Sequence, residues 1–249
     1  MSGRVPATFA AWHRWDRNFF LAFVAACWLG VIMGFYPAVE ARFTGRADYP
    51  ASIVLQIHAI VFPAWLVLLT LQVALIRARH TELHRLLGLT SLAFIPVMTV
   101  TGFQAEVLAQ RFYAPDDPLT QSFFIIPIFY SIAFPLLAGA AVWKRRDPPA
   151  HKRLMLLANA TIVGAAYARW WGEAILSVAG DGFFGMLANT FAGFYLLVGA
   201  AILYDWLTRR RVHPAYVVTV PLIVAGQFGV SALYHAEAWR PVARAIAGI

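Results

Sequence analysis

The stretch "ARHTELHRLLGLTSL" (residues 78–92) places two histidines and two arginines between two long apolar runs. An apolar run of about 20 residues can cross a bilayer as a helix, whereas arginine and histidine are costly in hydrocarbon. The stretch therefore predicts a polar turn that joins two membrane-spanning helices.

The rest of the chain repeats this alternation of apolar runs and polar turns. Of its 249 residues, 61% are hydrophobic and 13% are charged, whereas soluble domains carry about 25% charged residues. Backbone groups in lipid must be satisfied within a segment, so each run is predicted to be helical. Residues 1–249 are thus predicted to form one all-α domain, a bundle of seven transmembrane helices. Their approximate spans are residues 18–38, 52–76, 86–108, 122–143, 153–176, 183–207 and 215–238.

The basic residues predict the orientation of this bundle. With the N-terminus in the cytoplasm, fourteen of the twenty basic residues lie on the cytoplasmic side, which fits the positive-inside rule. They are Arg4, Arg14, Arg17, Arg77, Arg79, Arg85, Lys144, Arg145, Arg146, Lys152, Arg153, Arg209, Arg210 and Arg211. The C-terminus is then periplasmic. The net charge of +8 is explained by this topology, so we expect membrane lipids as partners and no nucleic acid.

Two hairpins of the predicted bundle resemble each other. Residues 62–89 and 134–157 both begin with Phe-Pro, pass through a basic turn and continue with "HRLLGL" or "HKRLML". Glu106 follows His84 by 22 residues, and Glu173 follows His151 by the same number. This pattern favours a parallel duplication of the second-third and fourth-fifth helix hairpins, although polar residues at both ends of any spanning helix also align approximately.

The same turns carry a family resemblance. "IHAIVFPAWLVLLTLQVALIRARHTELHRLLG" and "DPPAHKRLMLLA" are similar to bacterial multi-pass membrane families known only as domains of unknown function. The resemblance covers roughly residues 55–165 and picks out His58, Gln72, His84 and His151. It implies a bacterial inner-membrane protein and brings no established activity.

The turn histidines allow two interpretations. His80 and His84 have the His-x-x-x-His spacing of metal ligands on a helix. Zinc needs three or four ligands, and only Glu82 and Asp147 lie near them in the sequence. We therefore expect these histidines to cap helices at the membrane surface and to bind no metal.

Ionisable side chains within the spans are the candidate site residues, because charge in hydrocarbon is costly and usually functional. They are His58, Glu106, Arg169, Glu173 and His235, all predicted to lie in the outer part of the membrane. The alternative is that the last four belong to the water interface beside an aromatic belt, with Arg169 paired to Glu173 one turn away.

Three chemistries suit these candidate residues. First, His58 and His235 could ligate one haem b, with Arg169 paired to a propionate. Second, the two histidines and the two glutamates could hold a divalent metal. Third, these residues could bind an amphiphile headgroup or pass a proton without any cofactor. The only lysines, Lys144 and Lys152, lie in a turn, which excludes a retinal Schiff base in the last helix. We predict a pocket near the outer face, lined by the second, third, fifth and seventh spans, that binds a small ligand or cofactor, with haem b as the first candidate. The alternative function is that of a non-catalytic accessory subunit of a larger membrane complex.

Overall fold

The computed structural model describes residues 9–115 and 117–249, so Arg4 of the predicted cytoplasmic set lies outside the described residues. Within these ranges the chain forms ten α-helices, one 3-10 turn at Lys144–Arg146 and no strand. The helices are α1 (Asp16–Phe43), α2 (Ile53–Arg77), α3 (Thr81–Gly88), α4 (Ser91–Tyr113), α5 (Pro118–Phe123), α6 (Ile125–Trp143), α7 (Pro148–Ala179), α8 (Phe183–Arg209), α9 (Pro214–His235) and α10 (Trp239–Ala247).

Six helical segments of the described chain are long and apolar enough to cross a membrane, which indicates a multi-pass membrane protein. They are α1, α2, α3 with α4, α5 with α6 and the following 3-10 turn, α8 and α9. The all-helical class is therefore confirmed, and six of the seven predicted spans correspond to candidate membrane-spanning helices.

The predicted fifth span corresponds to α7, the longest helix and the centre of the bundle. It packs against α8, α6 and α1, and every residue from 156 to 164 is buried. Its apolar run is interrupted by polar residues such as Asn159 and Thr161, which are fully enclosed by protein. Asn159 accepts a hydrogen bond from the indole of Trp65 in α2, with a distance of 2.9 Å between Nε1 and Oδ1. A helix that meets protein on all sides can carry such groups, because neighbouring helices satisfy them.

Several boundaries differ from the predicted ones. The polar turn of residues 78–92 contains a helix of its own, α3, which ends before α4 begins at Ser91. The chain also continues beyond α9 into the short helix α10, whose Trp239, Ala243 and Ala247 are buried while Arg240 and Arg244 are not. This helix packs on α5 and α4. Both short helices are amphipathic, and neither is long enough to appear as an apolar run.

At one end of the bundle the charges are buried in pairs. Asp16 accepts hydrogen bonds from the Tyr204 hydroxyl at 2.6 Å and from the Arg209 guanidinium at 2.7 Å, and Lys152 lies 3.2 Å away. Next to them, Arg153 donates from Nε to Asp205 at 2.6 Å. These contacts bring the start of α1, the start of α7 and the end of α8 to the same end, as the antiparallel arrangement of successive spans requires.

The two turn histidines that the internal alignment pairs lie close together. The rings of His84 and His151 have centroids 6.4 Å apart. Nδ1 of His151 lies 2.8 Å from the carbonyl oxygen of Ala141 in the preceding helix, and Nδ1 of His84 lies 3.4 Å from that of Gln72. Equivalent residues therefore make equivalent contacts, and the duplication itself stays a prediction.

Candidate functional site

A cavity of about 1290 Å³ lies between the helices, above the roughly 300–1,000 Å³ that is typical of small-molecule pockets. Its lining comes from α1, α2, α4, α6, α7 and α8, from Phe123 at the end of α5, and from the loop between α1 and α2. Most of the lining is apolar, with phenylalanines 35, 62 and 134 among it. The polar groups are few, so their positions define what the cavity can bind.

Three of the five predicted site residues meet in this cavity: His58 of α2, Glu106 of α4 and Arg169 of α7. Each comes from a different helix. The imidazole of His58 packs closely against Gly102 of α4, since a Cβ at position 102 would lie 3.3 Å from Cε1 of His58. The absence of a side chain there makes room for the imidazole.

His58 has an unsatisfied ring nitrogen. Its ring packs against that of Phe62, with centroids 4.3 Å apart. Nδ1 is buried and has no hydrogen-bond partner. This nitrogen faces Gly102, 3.5 Å from where a Cβ would lie, and an unpaired polar nitrogen in apolar surroundings costs free energy.

Arg169 is a charged group of the cavity whose contacts are few. Its guanidinium donates one hydrogen bond, from Nη1 to the carbonyl of Ala165 at 3.0 Å, and lies over the ring of Phe35 at 4.9 Å. Among residues 9–115 and 117–249 it forms no ion pair, and more than a third of its surface is accessible. The predicted pairing with Glu173 is therefore absent. A guanidinium has five N–H groups, so four donors of Arg169 have no hydrogen-bond acceptor among the described residues.

The remaining polar groups come from α4, α6 and α8. Glu106 accepts a hydrogen bond from Nε2 of Gln110 at 2.9 Å. Asn189 of α8 has a buried Oδ1 without a hydrogen-bond partner, and the hydroxyl of Tyr130 in α6 lies 3.4 Å from the carbonyl of Thr190. The cavity is thus lined by a guanidinium and a carboxylate of opposite charge, which interact electrostatically but form no ion pair within 4 Å among residues 9–115 and 117–249.

The structure places the other two predicted site residues elsewhere. His235 is the last residue of α9, and its ring nitrogens lie 2.8 Å from the carbonyl oxygen of Ser231 and 3.1 Å from that of Asp181. It joins α9 to the loop between α7 and α8 and does not line the cavity. Glu173 is exposed and also lies outside the lining. The expectation that His58 and His235 face each other in one pocket is thus corrected.

The helices around the cavity also differ from the expected set. The predicted second, third and fifth spans contribute residues to the lining of the cavity, as do α1, α6 and α8. Helix α9, the predicted seventh span, does not. Tyr130 and Asn189 were missed, although Asn189 stands as a single amide in the apolar run "FFGMLANTFAGF" of α8. In the described part of the chain, no three side chains among histidine, cysteine, aspartate and glutamate come together as a metal site.

One side of the cavity opens toward the lipid-facing surface of α1. Ile32, Tyr36 and Val39 line the cavity and are 55%, 65% and 51% exposed. Next to this opening, the loop between α1 and α2 is held by a hydrogen bond of 2.8 Å from the hydroxyl of Tyr113 to Asp48. That hydrogen bond keeps the pKa of Asp48 below its usual value.

Comparison with known proteins gives no relative, because no family model, no curated protein and no solved structure matches this chain.

Proposed function

We propose that this protein binds a small, membrane-dissolved ligand in the cavity between α1, α2, α4, α6, α7 and α8. The observation that carries the proposal is the meeting of His58, Glu106 and Arg169 in a large, mostly apolar cavity, where the guanidinium of Arg169 has no ion pair with residues 9–115 or 117–249. Ligand sites commonly combine an apolar lining with a few convergent polar groups.

The cost of these polar groups supports a binding role. An unpaired hydrogen-bonding group in an apolar environment costs about 1–3 kcal/mol in proteins, and charged groups cost more. His58 and Asn189 each leave one such atom unsatisfied. Both atoms are buried against neighbouring helices, so a ligand would recover this free energy only if the two side chains turned toward the cavity when it binds.

Haem b, the first candidate from the sequence, would find one imidazole in this cavity, that of His58, and Arg169 for a propionate. The second expected ligand, His235, is engaged with two carbonyl groups. An absorbance spectrum of the purified protein tests this candidate, because a bound haem gives a Soret band. We expect a colourless protein with another small molecule bound.

We also propose that α7 is a seventh span, with the N-terminus in the cytoplasm and the C-terminus in the periplasm of a bacterial inner membrane. The length of α7, 32 residues, and the positive-inside rule support this topology. A periplasm-active reporter fused after Arg211 should be silent, whereas the same reporter at Ile249 should be active. The reverse pattern would invert the depth of the cavity.

Native mass spectrometry of the protein purified in mild detergent tests ligand binding directly. Gly102→Leu should displace the bound molecule, because the new side chain would enter the cavity beside His58. Gly139→Leu is the matched control, since a Cβ at Gly139 would meet no atom within 4 Å and Gly139 does not line the cavity.

His58→Ala should weaken binding of the same molecule, with little effect on folding. Wild-type protein without any bound small molecule, and with the same spectrum as Gly102→Leu, would contradict the proposal. The role of an accessory subunit in a larger membrane complex would then be the function to test, by co-purification of partner subunits.

A further inference from the structure

We infer that the ligand is an amphiphile with an anionic head, such as a long-chain carboxylate, and that it enters from the bilayer between α1 and α2. This inference rests on the proposed function and names the chemical class of its ligand. The head would lie between Arg169 and His58, and the apolar chain would lie along α1.

The hydrogen-bond donors of the cavity favour an acceptor-rich head. The guanidinium of Arg169 uses one N–H group on Ala165, which leaves four for a ligand. Two oxygens of a carboxylate accept such donors in pairs, with strong charge-assisted hydrogen bonds. The neutral imidazole of His58 can add one further donor.

The other charged groups that line the cavity are already engaged. Arg46 forms an ion pair with Glu40, Arg42 donates to the carbonyl of Tyr49, and Asp48 accepts from Tyr113. Arg42, like Arg169, forms no ion pair within residues 9–115 and 117–249, but its charge acts on the loop carboxylate of Asp48, so Arg169 is the cation that we assign to the ligand head.

Glu106 is the group that opposes an anion in this cavity. One of its oxygens accepts a hydrogen bond from the side-chain amide of Gln110. Gln110 is buried, and the same amide also donates to the carbonyl of Thr120. This contact holds the carboxylate toward α5. Because Glu106 carries the same sign of charge as the inferred head, its neutral substitution distinguishes an anionic from a cationic ligand.

The position of the opening favours a ligand from the bilayer over a soluble anion. The lining residues Ile32, Tyr36 and Val39 are more than half exposed, on a helix that the membrane surrounds. An apolar chain could leave the cavity along these side chains without meeting water. A short carboxylate would gain only the contact with Arg169, whereas a long chain also buries apolar surface.

Four probes separate these possibilities on the purified protein in non-ionic detergent. Oleate has the anionic head, oleyl alcohol and oleylamine have the same chain with a neutral or cationic head, and hexanoate has the same head on a short, soluble chain. Binding can be followed by displacement of a fluorescent fatty acid. We expect oleate to bind at least tenfold more tightly than each of the other three.

The variants assign this preference to the cavity. Arg169→Gln should weaken oleate binding by about tenfold to a hundredfold, because it removes a charge-assisted contact. Arg244→Gln, an exposed arginine of α10 outside the cavity, should leave it unchanged. Glu106→Gln should tighten oleate binding or leave it unchanged, since it removes a like charge.

The outcomes distinguish a wrong ligand class from a wrong site. Three results would overturn the inference: oleyl alcohol or oleylamine binds as tightly as oleate, hexanoate binds tightly, or Arg169→Gln and Arg244→Gln have equal effects. In each case the cavity could still bind another ligand. Failure of all four probes to bind saturably would overturn it as well. If Gly102→Leu then also fails to change the molecules bound after purification, the proposed function fails with it.

Discussion

Asp205→Asn should destabilise the protein strongly, because Asp205 neutralises a buried arginine. The side chains of Arg153 and Asp205 are 3% and 2% exposed, and Nε of Arg153 donates to Oδ2 of Asp205 at 2.6 Å. Nη1 of Arg209 lies 3.6 Å from the same carboxylate. The amide keeps the shape of the side chain and removes the negative charge, which leaves the charge of Arg153 buried without a counter-ion.

The magnitude follows from the burial of this pair. Removal of one partner of a buried ion pair costs about 3–5 kcal/mol, and a chain of this size loses about 2–4 °C of melting temperature per kcal/mol. We therefore expect the melting temperature in detergent to fall by about 6–20 °C. Thermal unfolding followed by circular dichroism measures this change.

Glu82→Gln is the control, since Glu82 and Arg85 form a pair whose side chains are 86% and 69% exposed, and such pairs contribute about 0–1 kcal/mol. The double replacement of Arg153 by methionine and Asp205 by leucine should recover part of the loss, because no charge is then left unpaired between them. If Asp205→Asn costs no more than Glu82→Gln, the assignment of this pair as a stabilising contact is refuted.

Three further substitutions test the packing and the capping of the bundle. Gly34→Ala should lower the free energy of unfolding by about 1–3 kcal/mol, because its Cβ would collide with a backbone oxygen of α7. Gly199→Ala is the control and should leave this free energy unchanged, because the space around Gly199 is open. Chemical denaturation measures both variants. Asn159→Ala should lower the free energy of unfolding by about 1–3 kcal/mol in the same assay, because it leaves the indole N–H of Trp65 unpaired. If Asn159→Ala has a smaller effect in a Trp65→Phe background, the loss is due to this hydrogen bond. The side chain of His213 caps α9 through its neutral Nδ1, and burial and a neighbouring arginine lower its pKa. Because the unfolded chain then binds a proton more readily than the folded one, the free energy of unfolding should fall as the pH drops below about 6.5. His213→Asn keeps a capping acceptor that does not titrate, and an equally steep fall in this variant would contradict that origin.

The sequence predicts the helices well because length and apolar content decide them. The turn at residues 78–92 and the six spans follow from hydropathy alone. The short helices α3 and α10 do not, because an amphipathic helix of eight or nine residues has no long apolar run. Helix α7 was predicted as a span but is not among the six apolar segments, because its central residues 156–164 are buried by neighbouring helices and include polar groups that those helices satisfy.

The candidate site was only partly predictable, because sequence position gives the depth of a residue but not the direction it faces. His58 and Arg169 share a depth and also a cavity. His235 shares the predicted depth, but its ring is held by the loop between α7 and α8. Which side of α9 faces that loop depends on packing between helices that no spacing along one helix reveals. Asn189 was missed for a related reason, since a single uncharged amide is common in spanning helices that bind nothing.

Helix α7 carries two arginines in opposite circumstances, and their contrast argues for a role of Arg169 outside stability. Arg153 and Arg169 are 16 residues apart, about 24 Å along the helix. Arg153 has a carboxylate from the neighbouring α8 within hydrogen-bond distance, as an arginine that stabilises the bundle requires. Arg169 has a carbonyl of its own helix, a phenylalanine ring and a cavity. A cation without a counter-ion in apolar surroundings costs free energy, so replacing it with an apolar side chain should stabilise the bundle unless the arginine has a structural role. Arg169→Met should therefore raise the melting temperature while it abolishes the preference for oleate, and a lower melting temperature would assign Arg169 to the structure instead.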